Sequence, residues 1–405
     1  MQTITSPSPA ALTGVRPTRS AGAAQGLALI FISVMPTMAI VSLVPTLPQL
    51  LTHFQGASLH ELLVPMIITL PSLCIALFSP IAGAIADFAG RRRLLLLATI
   101  FYVFVGLLPT LLGNLYAILG TRFLVGVAEA AILTTQNALM GDYFTGAQRQ
   151  HWLGLLSIIG PVVAALLMLA GGFLGSITWR GPFFLYLLGL PMVLWAYFVI
   201  YEPEEHKDEP MALPKTAFPW MAARVVALVT VGVSILYYIQ AIQLGRIFAE
   251  HGVASTTDIS IYVSIASLGV MLGGFAFSRL TATTISSRFT IVFLSLAMGY
   301  VGLGLTRSAA AALPLAFIAQ FGNGMALPTL IGWALGKFDF EHRGRGMGVW
   351  GSCFFIGTFL SPPFVTLLSG FLGSFLACVT TCGAICLLIA LAIWFKGRAP
   401  DPELR

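Results

Sequence analysis

Two ionisable residues lie deep inside one long apolar segment of the chain. Arg122, Glu129 and Gln136 recur every seven residues within positions 116–140, so a helix would place them on one face. Charged groups at such a depth are costly and normally face a cavity or a partner. Because burial disfavours the charged form of a carboxylate, Glu129 is a candidate proton-binding group, and Arg122 is the residue that would tune it.

The spacing of this pair leaves two interpretations open. At a rise of 1.5 Å per residue, Arg122 and Glu129 lie about 10 Å apart along a helix axis. That separation favours a pair bridged by water or by a substrate over a tight salt bridge. The alternative is a buried structural pair that locks the first and fourth apolar segments together.

A second group of polar and aromatic residues interrupts three later apolar segments. Its members are Tyr237, Gln240 and Gln243, then Gln320 and Asn323, then Trp350, Phe354 and Phe355. Together with Gln136, such residues suit an amphipathic or lipophilic small molecule, which is held by apolar contact and a few polar anchors. The alternative is that the amides join helices and the aromatic rings face lipid.

Motifs of enzymes and of ATP-driven pumps are absent from the sequence. There is no Gly-x-Ser-x-Gly elbow and no Gly-x-x-x-x-Gly-Lys phosphate loop, and His60-Glu61 lacks the second histidine of a zinc peptidase helix. The six histidines lie in or beside polar connections, and the five cysteines lie inside apolar runs. We therefore expect no enzymatic activity, no metal and no other cofactor.

The composition requires that most of the surface faces lipid. Of the 405 residues, 58% are in the set AVILMFWYC and only 9% are charged, against roughly 25% charged in an ordinary soluble domain. A span needs about 20 apolar residues, and backbone in lipid must satisfy its own hydrogen bonds. We therefore predict an all-α integral membrane protein with twelve transmembrane helices, at about 24–50, 61–86, 93–113, 116–140, 151–174, 181–201, 220–247, 257–278, 287–305, 309–335, 346–369 and 373–395.

The distribution of Lys and Arg predicts the orientation. With the N-terminus in the cytosol, 17 of the 21 Lys and Arg residues fall on the cytosolic side, as the positive-inside rule requires. Both termini should then be cytosolic, and the net charge of +6 reflects topology rather than nucleic-acid binding. We predict a disordered cytosolic tail (1–22), a six-helix bundle (23–201), a cytosolic central loop (202–219), a second six-helix bundle (220–396) and a cytosolic tail (397–405).

The two predicted bundles resemble each other in sequence. Arg149-x4-Gly154 at the start of the fifth span matches Arg343-x4-Gly348 at the start of the eleventh. Likewise, 122–128 in the fourth span aligns with 320–326 in the tenth. Weak repetition across a central loop is typical of a transporter whose substrate site lies between two repeats near the middle of the membrane.

The loop between the second and third spans carries a family signature. It reads Gly83-Ala-Ile-Ala-Asp87-Phe-Ala-Gly90-Arg91-Arg92-Arg93 and resembles the Gly-x-x-x-Asp-x-x-Gly-Arg-Arg/Lys loop of the major facilitator superfamily. The resemblance implies two six-helix bundles that rock around a central cavity. It also implies a cytosolic gate, in which Asp87 meets the start of span 11 and Arg91 meets a carboxylate at the end of span 4. Asp142 is the natural partner of Arg91, and Gly83 would permit a close helix approach.

Two further elements resemble the twelve-span drug:proton antiporters of that family. The fourth span begins Arg122-x-x-x-Gly126, whose arginine is linked to proton transfer in related antiporters. The fifth contains Gly160-Pro161, similar to the start of the antiporter element Gly-Pro-x-x-Gly-Gly, with alanines in place of the last two glycines. A proline kink beside small residues would also bring spans close in any helix bundle.

The resemblance and the buried pair together define the expected function. We expect a monomeric secondary transporter of the bacterial cytoplasmic (inner) membrane that exports a drug-like compound or an endogenous metabolite in exchange for protons. One alternative is uptake of an organic acid or nutrient, with Arg122 on the substrate carboxylate. Another is a membrane sensor that transports nothing.

Overall fold

The computed structural model describes residues 21–203, 217–280 and 283–397 of the chain. Within these ranges it contains twelve helical spans that are long and apolar enough to cross a membrane, which confirms the predicted number. Most of the predicted N-terminal tail, central loop and C-terminal tail lies outside the described residues.

We number the spans α1–α12 in chain order. Their bounds are Ala23–His53, His60–Ala89, Arg91–Thr110, Leu115–Tyr143, Gly146–Ile177, Gly181–Val199, Trp220–Glu250, Thr256–Arg279, Ile285–Leu305, Ala309–Leu335, Arg343–Leu372 and Phe375–Phe395. The predicted spans agree with these bounds in order and position, and most of the observed helices extend further at their ends. Side chains of Asn114, Ser255 and Thr284 cap the starts of α4, α8 and α9 by accepting backbone N–H bonds, as polar N-cap residues do.

Two spans change helix type along their length. In α1 the α-helix Ala23–Val41 gives way to a 3₁₀ turn, Val44–Thr46, before a short helix Leu47–His53. Pro45 lies in this turn and has no N–H to continue the ladder, while the hydroxyl groups of Ser42 and Thr46 donate to the carbonyls of Met38 and Leu43. Similarly, α6 starts as a 3₁₀ helix, Gly181–Leu188, and continues as an α-helix from Gly189.

The helices form two bundles with separate apolar interiors. One core draws almost entirely on α1–α6, and the other almost entirely on α7–α12. A few side chains cross between them: Ile242 of α7 belongs to the first core, and Met168 of α5 belongs to the second. The molecule is thus two six-helix bundles that share a contact surface, which we call the seam.

Equivalent hydrogen bonds hold the two bundles together internally. In the first bundle the Tyr102 hydroxyl of α3 donates to the backbone carbonyl of Met35 in α1 at 2.6 Å. In the second, the Tyr300 hydroxyl of α9 donates to the carbonyl of Leu236 in α7, also at 2.6 Å. Both tyrosines are fully buried. The internal repeat that the sequence indicates is therefore present in the packing.

The seam is closed at one end of the molecule. This end carries the α1–α2, α5–α6, α7–α8 and α11–α12 loops, and we call it the outer end after its predicted orientation. Thr256 of α8 donates to the Gly172 carbonyl of α5 at 3.0 Å, and Thr366 of α11 donates to the Glu61 carbonyl of α2 at 3.0 Å. A Cβ atom at Gly172 would lie 2.3 Å from the Cβ of Ser260, so α5 and α8 are in direct backbone contact.

At the opposite, inner end the bundles stand apart. A Cβ atom added at Gly154 of α5, or at Gly344 or Gly348 of α11, would meet no heavy atom within 4 Å among the described residues. Ile158 of α5 is 67% exposed although it lies within a span. The structure is therefore closed at the outer end and open at the inner end.

Valine at position 172 should separate the outer ends. Overpacking costs about 1–3 kcal/mol, which corresponds to a roughly 5- to 150-fold change in the ratio of two states. Ile177 and Phe371 are both exposed at the outer end, and nitroxide labels can be attached there through I177C and F371C. Double electron–electron resonance should show a longer distance between the two labels in Gly172→Val than in the parent. The parent also carries Cys353→Ser, because the other native cysteines are buried.

Gly154→Val is the matched control for this experiment. It adds the same side chain to the same helix, at a position where no heavy atom of the described residues lies within 4 Å, and it should leave the distance distribution unchanged. An unchanged distribution in Gly172→Val would mean that the glycine contact does not hold the outer end closed.

Candidate functional site

Arg122 is buried in the interior of the first bundle. It is 0% exposed. Its Nη1 donates to the Tyr186 hydroxyl of α6 at 2.6 Å, and its Nη2 donates to the Gly106 carbonyl of α3 at 3.3 Å. The guanidinium carbon lies 5.1 Å from the ring centroids of both Phe183 and Tyr186, within the range of cation–π attraction. Arg122 therefore joins α3, α4 and α6.

Glu129 lies two turns further along α4 and is 2% exposed. Its Oε1 is buried and has no hydrogen-bond partner among the described residues. Arg122 and Glu129 do not form an ion pair in this structure, because helical side chains lean towards the helix N-terminus and Arg122 extends to α3 and α6 instead. The structural pair that would lock the first and fourth spans together is thus not seen here.

Other groups surround Glu129 within the first bundle. Cys74 of α2 packs against Gly126, one turn before Glu129, where an added Cβ atom would lie 2.6 Å from the Cβ of Cys74. Gln136, two turns beyond it on the same helix, is also buried. The predicted row of polar residues on α4 therefore packs inside the bundle.

The signature loop forms a charged network at the inner end. Arg91 makes an ion pair with Asp142 at the end of α4 and lies 3.5 Å from Asp87, one turn before it. The Asp87 side chain is 70% exposed and does not reach the start of α11, contrary to the predicted gate contact. The reason is conformational: the inner ends of the bundles are apart, so α11 is out of reach.

A residue that the sequence analysis missed completes this network. The Glu202 carboxylate, just after α6, accepts the backbone N–H groups of Arg91 and Arg92 at 2.6 and 3.0 Å. A carboxylate is favoured at this helix start, where N–H groups lack partners. Arg92 in turn donates to the carbonyls of Ile200 and Tyr197 at the end of α6. The only sequence signal was an acidic residue at the end of a span, which many loops contain.

The two glycines of the signature loop play different roles. Gly90 has φ +93°, a conformation that side-chain-bearing residues rarely adopt, and a Cβ there would lie 3.1 Å from the Glu202 carboxylate. At Gly83 a Cβ would make only an ordinary contact, 3.6 Å from Thr134. The expected close helix approach at Gly83 is therefore not present in this structure.

The predicted amides of the second bundle come together between α7 and α10. Gln240 donates to the Ala316 carbonyl at 2.7 Å. Asn323 donates to the Tyr237 carbonyl at 3.3 Å and to Gln320 Oε1 at 3.2 Å. Gln243 lies one turn after Gln240 and is 1% exposed. We call Gln240, Gln243, Gln320 and Asn323 the amide cluster.

Aromatic rings of α7 and α11 form a second group beside it. Trp350 stacks on Phe354 with centroids 5.5 Å apart, and Phe354 lies 6.0 Å from Tyr237 and 5.6 Å from Tyr238. Tyr238, which the sequence analysis did not single out, packs against both bundle cores. These rings therefore extend from the amide cluster towards the seam.

The predicted kink in α5 does not mediate the close contact. Pro161 lies inside the helix, but a Cβ at Gly160 would meet nothing within 4 Å among the described residues. Close approach occurs instead at Gly171 and Gly172, nearer the outer end. The Gly160–Pro161 element thus borders the part of α5 where the bundles are apart.

A family model matches nearly all of this chain. The model described as "Major Facilitator Superfamily" aligns with residues 26–339 and 225–405. The chain belongs to the Major Facilitator Superfamily. Proteins of this family and fold are membrane transporters, so the two bundles and their one-sided opening are those of a transporter.

Relatives within the superfamily include named exporters. The class C tetracycline resistance protein of Escherichia coli is 27% identical over 348 residues, 80% of this chain and 84% of that protein. The bacillibactin exporter of Bacillus subtilis is 25% identical over 85% of this chain and 89% of its own length. The efflux pump dotC of Dothistroma septosporum is 29% identical, but over only 42% of this chain and 28% of that longer protein.

Solved structures of the superfamily share the fold. A bacterial homologue of the human lysosomal transporter Spinster, in an inward-facing and occupied conformation, superposes with a TM-score of 0.74 at 18% identity, over 96% of this chain and 99% of that one. A D-xylose–proton symporter gives 0.72 at 15% identity, over 92% and 97%. Because one fold serves a proton symporter as well as named exporters, it does not determine the direction of transport.

Alanine at position 90 should destabilise the first bundle. The backbone strain costs about 1–3 kcal/mol, and the added methyl crowds Glu202, so Gly90→Ala should unfold at a lower temperature in detergent, as followed by tryptophan fluorescence. Gly83→Ala, in the same loop, should unfold near the parent temperature. Equal unfolding temperatures for Gly90→Ala and the parent would contradict the conformational role of Gly90.

Proposed function

We propose that this transporter exports a small organic molecule, either a drug-like compound or an endogenous metabolite, in exchange for protons. The named tetracycline resistance protein and bacillibactin exporter support export, because each aligns with most of the chain. The placement of Lys and Arg supports a bacterial cytoplasmic membrane location with both termini in the cytosol. The inner opening then faces the cytosol, from which an exporter takes its substrate.

The observation that carries proton coupling is the unpartnered carboxylate of Glu129. No ion pair reaches it among the described residues, and its Oε1 is buried without a hydrogen bond. An isolated buried charge is far more costly than a neutral group. Glu129 therefore holds a proton in this state and releases it when rearrangement of the bundle brings water or a polar partner to the carboxylate.

Arg122 has a supporting role in this proposal. Its guanidinium is fixed by Tyr186, Gly106 and the flanking rings, two turns from Glu129. It thus supplies a positive charge that stabilises the carboxylate after the proton leaves. The same contacts weigh against uptake of an organic acid on Arg122, because binding a substrate carboxylate would require that these bonds break.

Replacing Glu129 by glutamine should abolish proton exchange. Glutamine keeps the shape of the side chain and cannot carry a proton. Proteoliposomes that contain the parent protein, an acidic interior and an internal pH dye should lose protons when tetracycline, a lipophilic cation or a siderophore-like chelate is added outside. Glu129→Gln vesicles should respond like protein-free vesicles.

Glu61→Gln is the control, since it removes a carboxylate from an exposed position at the outer end of α2. It should retain substrate-triggered proton efflux. Full pH-dependent transport by Glu129→Gln would refute the proton assignment. Proton movement in the direction of the substrate would instead indicate symport, and accumulation of organic acids lost in Arg122→Ala would favour uptake.

A further inference from the structure

The amide cluster of the second bundle contains acceptor atoms that nothing in the described chain satisfies. They are Oε1 of Gln240, Oε1 of Gln243 and Oδ1 of Asn323. All three side chains are at most 1% exposed. An unsatisfied buried acceptor is costly, so three in one cluster indicate a site whose partner is a ligand.

The orientation of two of these amides is fixed by their neighbours. Backbone carbonyls only accept, so the groups that bond to Ala316 O and Tyr237 O must be the amide nitrogens of Gln240 and Asn323. The oxygens are then necessarily the free atoms. No flip of either side chain can turn these acceptors into donors without breaking a bond to the backbone.

Gln320 links Asn323 to Ser267 of α8 through a series of hydrogen bonds. The Ser267 hydroxyl donates to the Val263 carbonyl at 2.8 Å, Gln320 Nε2 donates to Ser267 Oγ at 3.4 Å, and Asn323 donates to Gln320 Oε1. Both N–H groups of the Asn323 amide are thus used. The Gln240 and Asn323 oxygens are left as acceptors, and a ligand must bring N–H or O–H groups to satisfy them.

From this arrangement we infer that the amide cluster binds the hydrogen-bond donors of the transported molecule, whereas the proton binds to Glu129 in the other bundle. This inference rests on the proposed function and names its substrate class: molecules with an ammonium, amine or hydroxyl group beside an aromatic or apolar body. Carboxylates and other pure acceptors are disfavoured, because they cannot satisfy the Gln240 and Asn323 oxygens.

The aromatic group supplies the apolar part of such a site. Trp350 and Tyr237 are half-buried, so part of each ring is accessible, and both lie within 6.0 Å of Phe354 between ring centroids. Trp350 Nε1 is a buried donor without a partner, and a hydroxyl group can accept its hydrogen bond while donating to an amide. A flat ring with a donor substituent matches both groups.

The proton and donor sites belong to different bundles. Glu129 lies on α4 of the first bundle and is 2% exposed. The hydrogen-bond partners of the amide cluster lie on α7, α8 and α10 of the second bundle. Substrate and proton therefore do not compete for one side chain, and their coupling runs through the relative position of the two bundles.

Equilibrium binding to the purified full-length protein tests the donor site. The probes are imipramine, whose protonated amine has one N–H, and its N-methyl quaternary salt, which keeps the charge and the rings but has no donor. Tetracycline, which supplies hydroxyl donors, is a third probe. We expect the protonated amine or tetracycline to bind at least about tenfold more tightly than the quaternary salt.

Gln243→Met should weaken this preference, because it removes one of the three amide oxygens. Gln243 has no hydrogen bond to lose in the structure, so the variant should fold, and the tenfold preference for the donor probe should fall to about threefold or less. Gln49→Met is the matched control, because Gln49 also has a buried unpartnered Oε1 but lies at the outer end of α1, and it should keep the parent preference. Failure of every donor probe to bind, or equal binding of the amine pair by the parent, would overturn the donor site.

Glu129→Gln tests the separation of the two sites in the same assay. It should leave the affinity for the donor probes within about twofold of the parent, even though it abolishes proton efflux. A tenfold or larger change in affinity would show that proton and substrate share a site. Weakened donor selectivity in Gln243→Met with normal proton efflux in vesicles would uphold the donor site independently of the assignment of Glu129.

Discussion

The constraint on which this structure depends is the absence of water from the bilayer interior, where every polar group must find a partner within the protein. Helices satisfy the backbone, and the tyrosine hydroxyl groups of Tyr102 and Tyr300 are satisfied by carbonyls of α1 and α7. Each of these bonds joins two helices at a buried point. The same bond occurs once in each bundle, so the two bundles share this way of joining their helices.

The seam between the bundles has a different character. Within the first bundle, charged groups hold the inner end together: Arg91 pairs with Asp142, and Glu202 caps α3. Across the seam, the outer end is held by small residues and by neutral hydroxyl–carbonyl bonds such as Thr256 to Gly172. Neutral hydrogen bonds contribute about 0.5–1.5 kcal/mol each, so the seam can open while the ion pairs and caps inside the bundle persist. A seam that is held more weakly than the bundle interiors is consistent with the proposed transport cycle.

Much of this organisation could be predicted from the sequence, because it follows from hydrophobic length and repeat pattern. The twelve spans and the two-bundle fold are confirmed. The contact of Arg91 with Asp142 could be expected because the start of α3 and the end of α4 lie at the same end of the molecule. The contact of Asp87 with α11 was not found, because the inner ends of the bundles are apart in this structure, and the sequence does not specify which end is open. Glu202 was missed because its role comes from the position of α6 beside α3. The partners of Arg122 on α3 and α6 likewise arise only from packing.

The two bundles share a scaffold but differ in what they bury within it. The sequence repeat aligns Arg122 of α4 with Gln320 of α10, and each residue makes polar contacts inside its own bundle. In the first bundle, one unpartnered oxygen nearby belongs to the Glu129 carboxylate, which can gain or lose a proton. In the second, unpartnered oxygens belong to the amides of Gln240, Gln243 and Asn323, which keep the same charge at every pH. The two bundles share one arrangement of helices, yet one of them contains the titratable Glu129 and the other contains the non-titratable amide cluster, on opposite sides of the seam. In the proposed mechanism, a proton on one side changes the affinity on the other by changing how the bundles meet at the seam.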